Sequence, residues 1–131
     1  MYEDLLVPVG RWDGAEHAAD VALDLVARYG ARLHVLGVVE RPLILASQGD
    51  LADALEAETA SAVDDVVERA TGRGLEVTDA IRGGVPYRET ARYATDAGVD
   101  LVVVTGGYGP RRGVDVARLT REVDASVLVV G

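Results

Sequence analysis

Asp100-Leu101-Val102-Val103-Val104-Thr105 runs straight into Gly106-Gly107-Tyr108-Gly109-Pro110-Arg111-Arg112-Gly113. The run from Leu101 to Val104 is apolar without alternation, so a strand here needs cover on both faces, as the middle strand of a parallel sheet has between two helical layers. The glycines then end it. Working outward, Pro86 suits a first helical turn, where its missing N–H costs nothing, and Tyr87, Ala91, Ala94 and Ala97 follow at helical spacing as far as Gly98. Downstream, Val116, Leu119, Thr120 and Val123 predict a short helix, and Ser126 to Val130 a last strand.

The same grammar extends to the other end. Leu5 to Val9 reads as a continuous apolar strand, Asp13 as the cap of a helix carrying Ala18, Ala22, Leu25, Val26 and Tyr29 on one face, and Gly30 as its left-handed stop. Arg32 to Val39 is a second strand. Asp50 starts a helix with Leu51, Leu55, Val63, Val66, Val67 and Ala70 at helical spacing, ended by Gly72 or Gly74. Leu75 to Ile81 alternates more than the other strands, which predicts a sheet margin, and Gly83-Gly84 reads as a turn. Strands alternating with helices in this way predict an α/β fold, a five-stranded parallel sheet with helices on both faces, over residues 1–131 as one domain.

Composition agrees with a filled core under an acidic skin. The 131 residues carry 22 acidic and 13 basic side chains, a formal charge of -9, and 49% are hydrophobic. Such a surface repels phosphate backbones, so nucleic acid is not an expected partner. All the basic residues are Arg and none is Lys, which suits a cytoplasm of very high salt; a genome that favours Arg codons is the alternative. Without cysteine there are no disulfides, thiolate metal sites or thiol nucleophiles. The chain opens Met1-Tyr2-Glu3-Asp4, with no leader-like apolar run and no stretch long enough for a membrane, so a cytoplasmic location is expected.

In an open parallel sheet, ligands bind beyond the carboxyl ends of the strands, where the strand order reverses. Three loops meet that description: Gly10-Arg11-Trp12-Asp13, Glu40-Arg41, and Thr105 to Gly113. Closely spaced glycines in the last let backbone N–H groups approach an anion, although glycines also simply make turns. A Walker loop is excluded for want of Lys, and Gly106-x-x-Gly109 is not the dinucleotide fingerprint.

The strands Leu5-Leu6-Val7-Pro8-Val9, Leu33-His34-Val35-Leu36-Gly37-Val38-Val39, Asp100-Leu101-Val102-Val103-Val104 and Val127-Leu128-Val129-Val130, with the turn Gly84-Val85-Pro86, resemble the universal stress protein (UspA-like) family over essentially the whole chain. The resemblance implies a Rossmann-like sheet in the order 3-2-1-4-5, as in adenine nucleotide alpha hydrolases, and a homodimer joined through the last strand, Ser126 to Val130. In one branch it also implies ATP held by Gly-x2-Gly-x9-Gly-Ser/Thr. Gly106 and Gly109 match the first pair. Leu119 stands where the third glycine belongs, and alignment back from the last strand makes Gly113 the counterpart in a shortened loop, with Val114 in place of the hydroxyl residue. Thr120 falls inside the helix. The family's Asp after the first strand is replaced by Gly10, with Asp13 a displaced substitute. A nucleotide site on this pattern would use Val9, Gly10, Asp13, backbone groups of Val38, Val39 and Glu40, the glycines Gly106, Gly109 and Gly113, and the charges of Arg111 and Arg112. Paired arginines in an acidic protein also serve as salt-bridge partners.

Other residues carry weaker signals. His17 and His34 lie far apart with no carboxylate motif beside them, so neither is assigned a metal or catalytic role. Trp12 and Tyr108 flank the expected crevice and either stack on a ligand or cover the helix start or a dimer surface. Leu43-Ile44-Leu45 suits a lid, a partner surface or cover for the sheet edge, and Asp64-Asp65 a solvated helix face. Three functions fit: a dimeric regulatory or interaction module with a degenerate ATP loop, a protein binding ATP or AMP, and a phosphate-transferring enzyme. The last ranks lowest, because no nucleophile, base pair or metal cluster is visible.

Overall fold

A computed structural model describes residues 2–40, 49–106 and 113–131. Five strands, β1 (Asp4–Val9), β2 (Arg32–Glu40), β3 (Val77–Gly84), β4 (Leu101–Thr105) and β5 (Ser126–Val130), form one parallel sheet in the order β3-β2-β1-β4-β5. Among the described residues four helices cross between them: α1 (Ala15–Tyr29), α2 (Asp50–Gly72), α3 (Pro86–Ala97) and α4 (Val116–Glu122). The order reverses between β1 and β4, so the sheet's switch point lies there.

Period-two alternation divides the apolar strands between two cores. Leu5, Val7, Val9, Leu33, Val35, Leu101 and Val103 pack under α1 and α2, whereas Leu6, Leu36, Val38, Val102 and Val104 pack under α3 and α4. Both faces of β1 and β4 are thus buried, which is why their sequences do not alternate in polarity. Gly37 lets α2 approach β2, since a Cβ there would stand 2.7 Å from a Val63 methyl.

Several local expectations shift. Asp13 does not cap α1: Gly14 takes the cap position at φ 84°, a left-handed conformation that suits glycine, with no side-chain bond. The buried face of α1 is Ala15, Ala18, Ala19, Ala22, Leu23 and Val26, leaving Tyr29 exposed against Tyr2. Strand β3 starts later than Leu75 and continues through Gly83 and Gly84, which pair with Val39 and Glu40 rather than turning. Helix α4 is capped by Asp115, whose carboxylate accepts from the Arg118 amide, and Thr120 lies within it. At the margins, β3 exposes Ile81 and β5 exposes Leu128 and Val129. Among the described residues no helix is long and apolar enough to cross a membrane. Leu43, Ile44 and Leu45 lie outside the described residues.

Candidate crevice at the switch point

At the carboxyl end of β1 the chain passes Gly10 and turns its one tryptophan inward. Trp12 is only 6% exposed and joins the core of Leu6, Ala15, Leu36, Val102, Val104, Val114 and Leu119. Its indole lies where the β1 and β4 loops converge. A Cβ on Gly10 would come within 2.7 Å of its Cε3, and one on Gly113 within 2.7 Å of its Cδ1. Neither position accepts a side chain while the ring is there, and Gly113, at φ 72°, is held in a conformation other residues avoid. Trp12 therefore covers the start of α1, packing with Ala15 as a buried ring, and is not a free stacking platform.

Beside it, between the first turn of α1 and the outer part of α2, is a cavity of about 400 Å³ lined by Val9, Trp12, Asp13, Glu16, Asp65 and Arg69, among others. Val9 is buried in its wall, Gly10 half-buried, and Asp13 exposed at its rim. Asp13, Glu16 and Asp65 make no ion pair or side-chain hydrogen bond among the described residues, and Arg69 is engaged by Asp20. The rim is thus net acidic and repels a polyphosphate.

Val38 and Val39 stand apart from this cavity. Together with Arg11, Glu40, Leu55 and Thr59 they bound a space of about 10 Å³, room for a water at most and not for an adenine ring. Their strand end is paired with Arg82, Gly83 and Gly84, because β3 runs further than the alternating stretch suggests. Arg11 reaches Glu58 at 2.7 Å. Gly106 is tied to the last strand, its amide donating to the Val130 carbonyl at 3.3 Å. Val114 is buried in the core. Gly109, Arg111, Arg112 and Tyr108 lie outside the described residues. The structure thus gathers Val9, Gly10, Asp13 and Gly113 around Trp12, with Gly106 at the neighbouring strand end.

The opposite end of the sheet holds a polar cluster that spacing along the chain does not reveal. Asp4, buried at the start of β1, accepts two hydrogen bonds from Arg32, at 2.9 and 2.7 Å, and one from His34 Nε2 at 2.9 Å. His34 Nδ1 lies 2.8 Å from the Tyr93 hydroxyl. The Arg32 hydrogen bonds, aided by His34, bring Asp4 down to about 2 against the desolvation that raises it, and Asp4 in turn raises Arg32. Burial raises the Tyr93 phenol, over whose ring Arg82 sits at 5.2 Å. Arg32 also lines an open cavity of about 520 Å³ with Glu3, Gly30, Gly74 and Glu76. No group of three His, Asp or Glu among the described residues could hold a metal ion.

The family model described as the universal stress protein family matches residues 1–131. Among solved structures, a universal stress family protein from Burkholderia pseudomallei is 26% identical, with a TM-score of 0.77, over 98% of this chain and 96% of that one. A universal stress protein solved in complex with cAMP is 23% identical, TM-score 0.73, covering 99% and 97%. One from Archaeoglobus fulgidus, in complex with dAMP, is 19% identical, TM-score 0.71, covering 99% and 98%. No curated protein sequence matches the chain.

Proposed function

Since the chain belongs to the universal stress protein family, we propose that it is a cytoplasmic stress-response protein working as a small dimeric regulatory or interaction module, with a degenerate form of the family's ATP-binding loop and no reaction of its own. One observation carries this reading. Trp12 occupies the switch point, pressed against Gly10 and Gly113, where a nucleotide of this fold class would need open space. The carboxylates of Asp13, Glu16 and Asp65 on the neighbouring cavity, without ion-pair partners among the described residues, add repulsion for phosphate. The dimer forms through β5, an edge strand whose exposed Leu128 and Val129 offer apolar surface beside an unpaired ladder. Nucleic acid is not a partner on this reading, given the charge of -9.

Titration calorimetry of the wild type with ATP, AMP and inorganic phosphate in concentrated KCl tests the site. No heat is expected with any of them, and saturable ATP binding would refute the degenerate loop. Sedimentation tests the assembly: a dimer is expected for the wild type and a monomer for Val129→Asp. A second reading, an adenine-nucleotide binder using the loop from Gly106 to Gly113, is favoured by the relatives solved with cAMP and dAMP. ATP or AMP would then be its ligand, and the same titration separates the two.

A further inference from the structure

We infer that Asp79 and Arg82 guard the second edge of the sheet: each holds a charge on one face of β3, and together they keep this edge from pairing with a second copy of the chain, so that assembly through β5 stops at two. The stopping point rests on the reading of β5 as the dimer edge; the guarding itself goes beyond that reading. The outermost strands of the sheet are β3 and β5. Strand β3 is the longer, eight residues against five, and it leaves Ile81 45% exposed near an exposed Thr78. Length and exposed apolar surface are what make an edge strand a template for another chain, so by these measures β3 should associate at least as readily as β5. Were both edges to pair about two-fold axes, neither pairing would close the assembly, and chains would add without end.

The two edges differ in charge. Ser126 to Val130 contains no ionisable side chain, whereas β3 carries Asp79 and Arg82. Register places these two on opposite faces. Asp79 stands beside Val35, whose side chain packs under α1 and α2, and Arg82 beside Val38, which packs under α3 and α4. Asp79 is exposed, with no ion pair or side-chain hydrogen bond among the described residues, and the Arg82 guanidinium lies over the Tyr93 ring at 5.2 Å with no carboxylate partner there. Two copies of β3 related by a two-fold axis run antiparallel, and directly opposite residues then share a face. Every such register sets Asp79 against Val77, Asp79, Ile81 or Gly83 of the second copy, and Arg82 against Thr78, Ala80, Arg82 or Gly84. Neither charge meets its opposite. Each loses water against a neutral or like-charged neighbour, a cost that no ion pair offsets.

Sedimentation velocity tests this on the whole chain, after circular dichroism has verified the fold of each variant. In the Val129→Asp background, where β5 is itself charged, Asp79→Val combined with Arg82→Val is expected to double the mass from one chain to two. In the wild-type background the same pair is expected to carry assembly past two chains, to species that lengthen with concentration. Asp79→Asn with Arg82→Gln removes the same charges with little change of shape and serves should the valine pair unfold. A further Ile81→Lys puts a charge back on that edge and is expected to return both backgrounds to their parent size. Folded variants that keep the parent mass in both backgrounds overturn the inference. So does a larger assembly that Ile81→Lys leaves intact, because another surface is then responsible. A wild type that sediments as a single chain overturns the β5 dimer instead, and the guard is still read from the mass doubling in the Val129→Asp background, so the two failures are distinguishable.

Discussion

The two ends of the sheet treat their polar groups in opposite ways. At the amino end, Asp4 is committed to Arg32 and His34, His34 to Tyr93, and the Asp100 carboxylate to the amides of Glu3 and Asp4 at 2.9 and 3.1 Å. At the carboxyl end an aromatic ring fills the centre, while Asp13, Glu16 and Asp65 stay without partners among the described residues. Groups that satisfy one another lock strands together and have little capacity left for a ligand. Groups left to solvent beside a cavity contribute little to folding, and that is the end where this fold places its ligands. The contrast puts the polar locking of the strands at the amino end and apolar packing beside unengaged carboxylates at the carboxyl end.

Breaking the carboxyl end is the most damaging change expected. Trp12→Ala should cost about 3–5 kcal/mol, since it deletes the largest side chain at the junction of the β1 and β4 loops and leaves a cavity. Chemical denaturation measures it, and added indole should restore part of the loss. A destabilisation below about 1 kcal/mol would mean the indole is not integral to the core. Next comes Gly113→Ala, which adds a methyl group against the indole at a backbone angle of φ 72°. Overpacking and left-handed strain together should cost about 2–4 kcal/mol. In the double variant with Trp12→Ala the overpacking part should vanish, leaving only the strain.

How much of this was legible depends on whether a feature has a period. Leu101 to Val104 and Leu5 to Val9 are apolar on both faces, and such runs announce buried parallel strands unaided. Gly30 and Gly98 stop their helices in the left-handed conformation, as their positions suggest. The end of β3 was hidden because Gly83 and Gly84 carry no pattern, yet their backbones pair with Val39 and Glu40 as well as any residue would. Asp13 has the chemistry of a cap but sits one residue before Gly14, which turns the chain into α1. Trp12 is a lone aromatic in a loop, so no periodicity indicates that it turns inward. Asp4, His34 and Tyr93 are separated by 30 and 59 positions and meet only when β1, β2 and α3 assemble. A buried histidine in an apolar strand was the one sign that such a partner was needed.

At the amino end, acid provides a finer probe. The Asp4 carboxyl is held at about 2 in the folded protein, below its ordinary value of 3.8, so the folded state favours the ionised form. Its contribution is therefore complete above about pH 4 and is lost as the pH falls through 2. The shift corresponds to about 2 kcal/mol, and to less once solvent screening around the half-exposed Arg32 is counted. Urea titrations from pH 6 to 2 should show this slope in the wild type and a flatter one in Asp4→Asn, whereas Asp13→Asn, at the other end, should leave it unchanged. A parallel slope in Asp4→Asn would move the acid sensitivity to other carboxylates.

The smallest effect sharpens the contrast from outside it. Arg69 reaches Asp20 and Arg73 reaches Asp24 between α1 and α2, and all four side chains are two-fifths exposed or more. Exposed pairs of this kind contribute under about 1 kcal/mol each, and salt screens them. Arg69→Ala should therefore lower stability by only a few tenths of a kcal/mol at low salt, and by nothing measurable in molar KCl. Arg69 also lines the cavity beside Trp12, where it is the one cation among Asp13, Glu16 and Asp65 in that lining. Its loss makes the rim more negative while barely touching the fold.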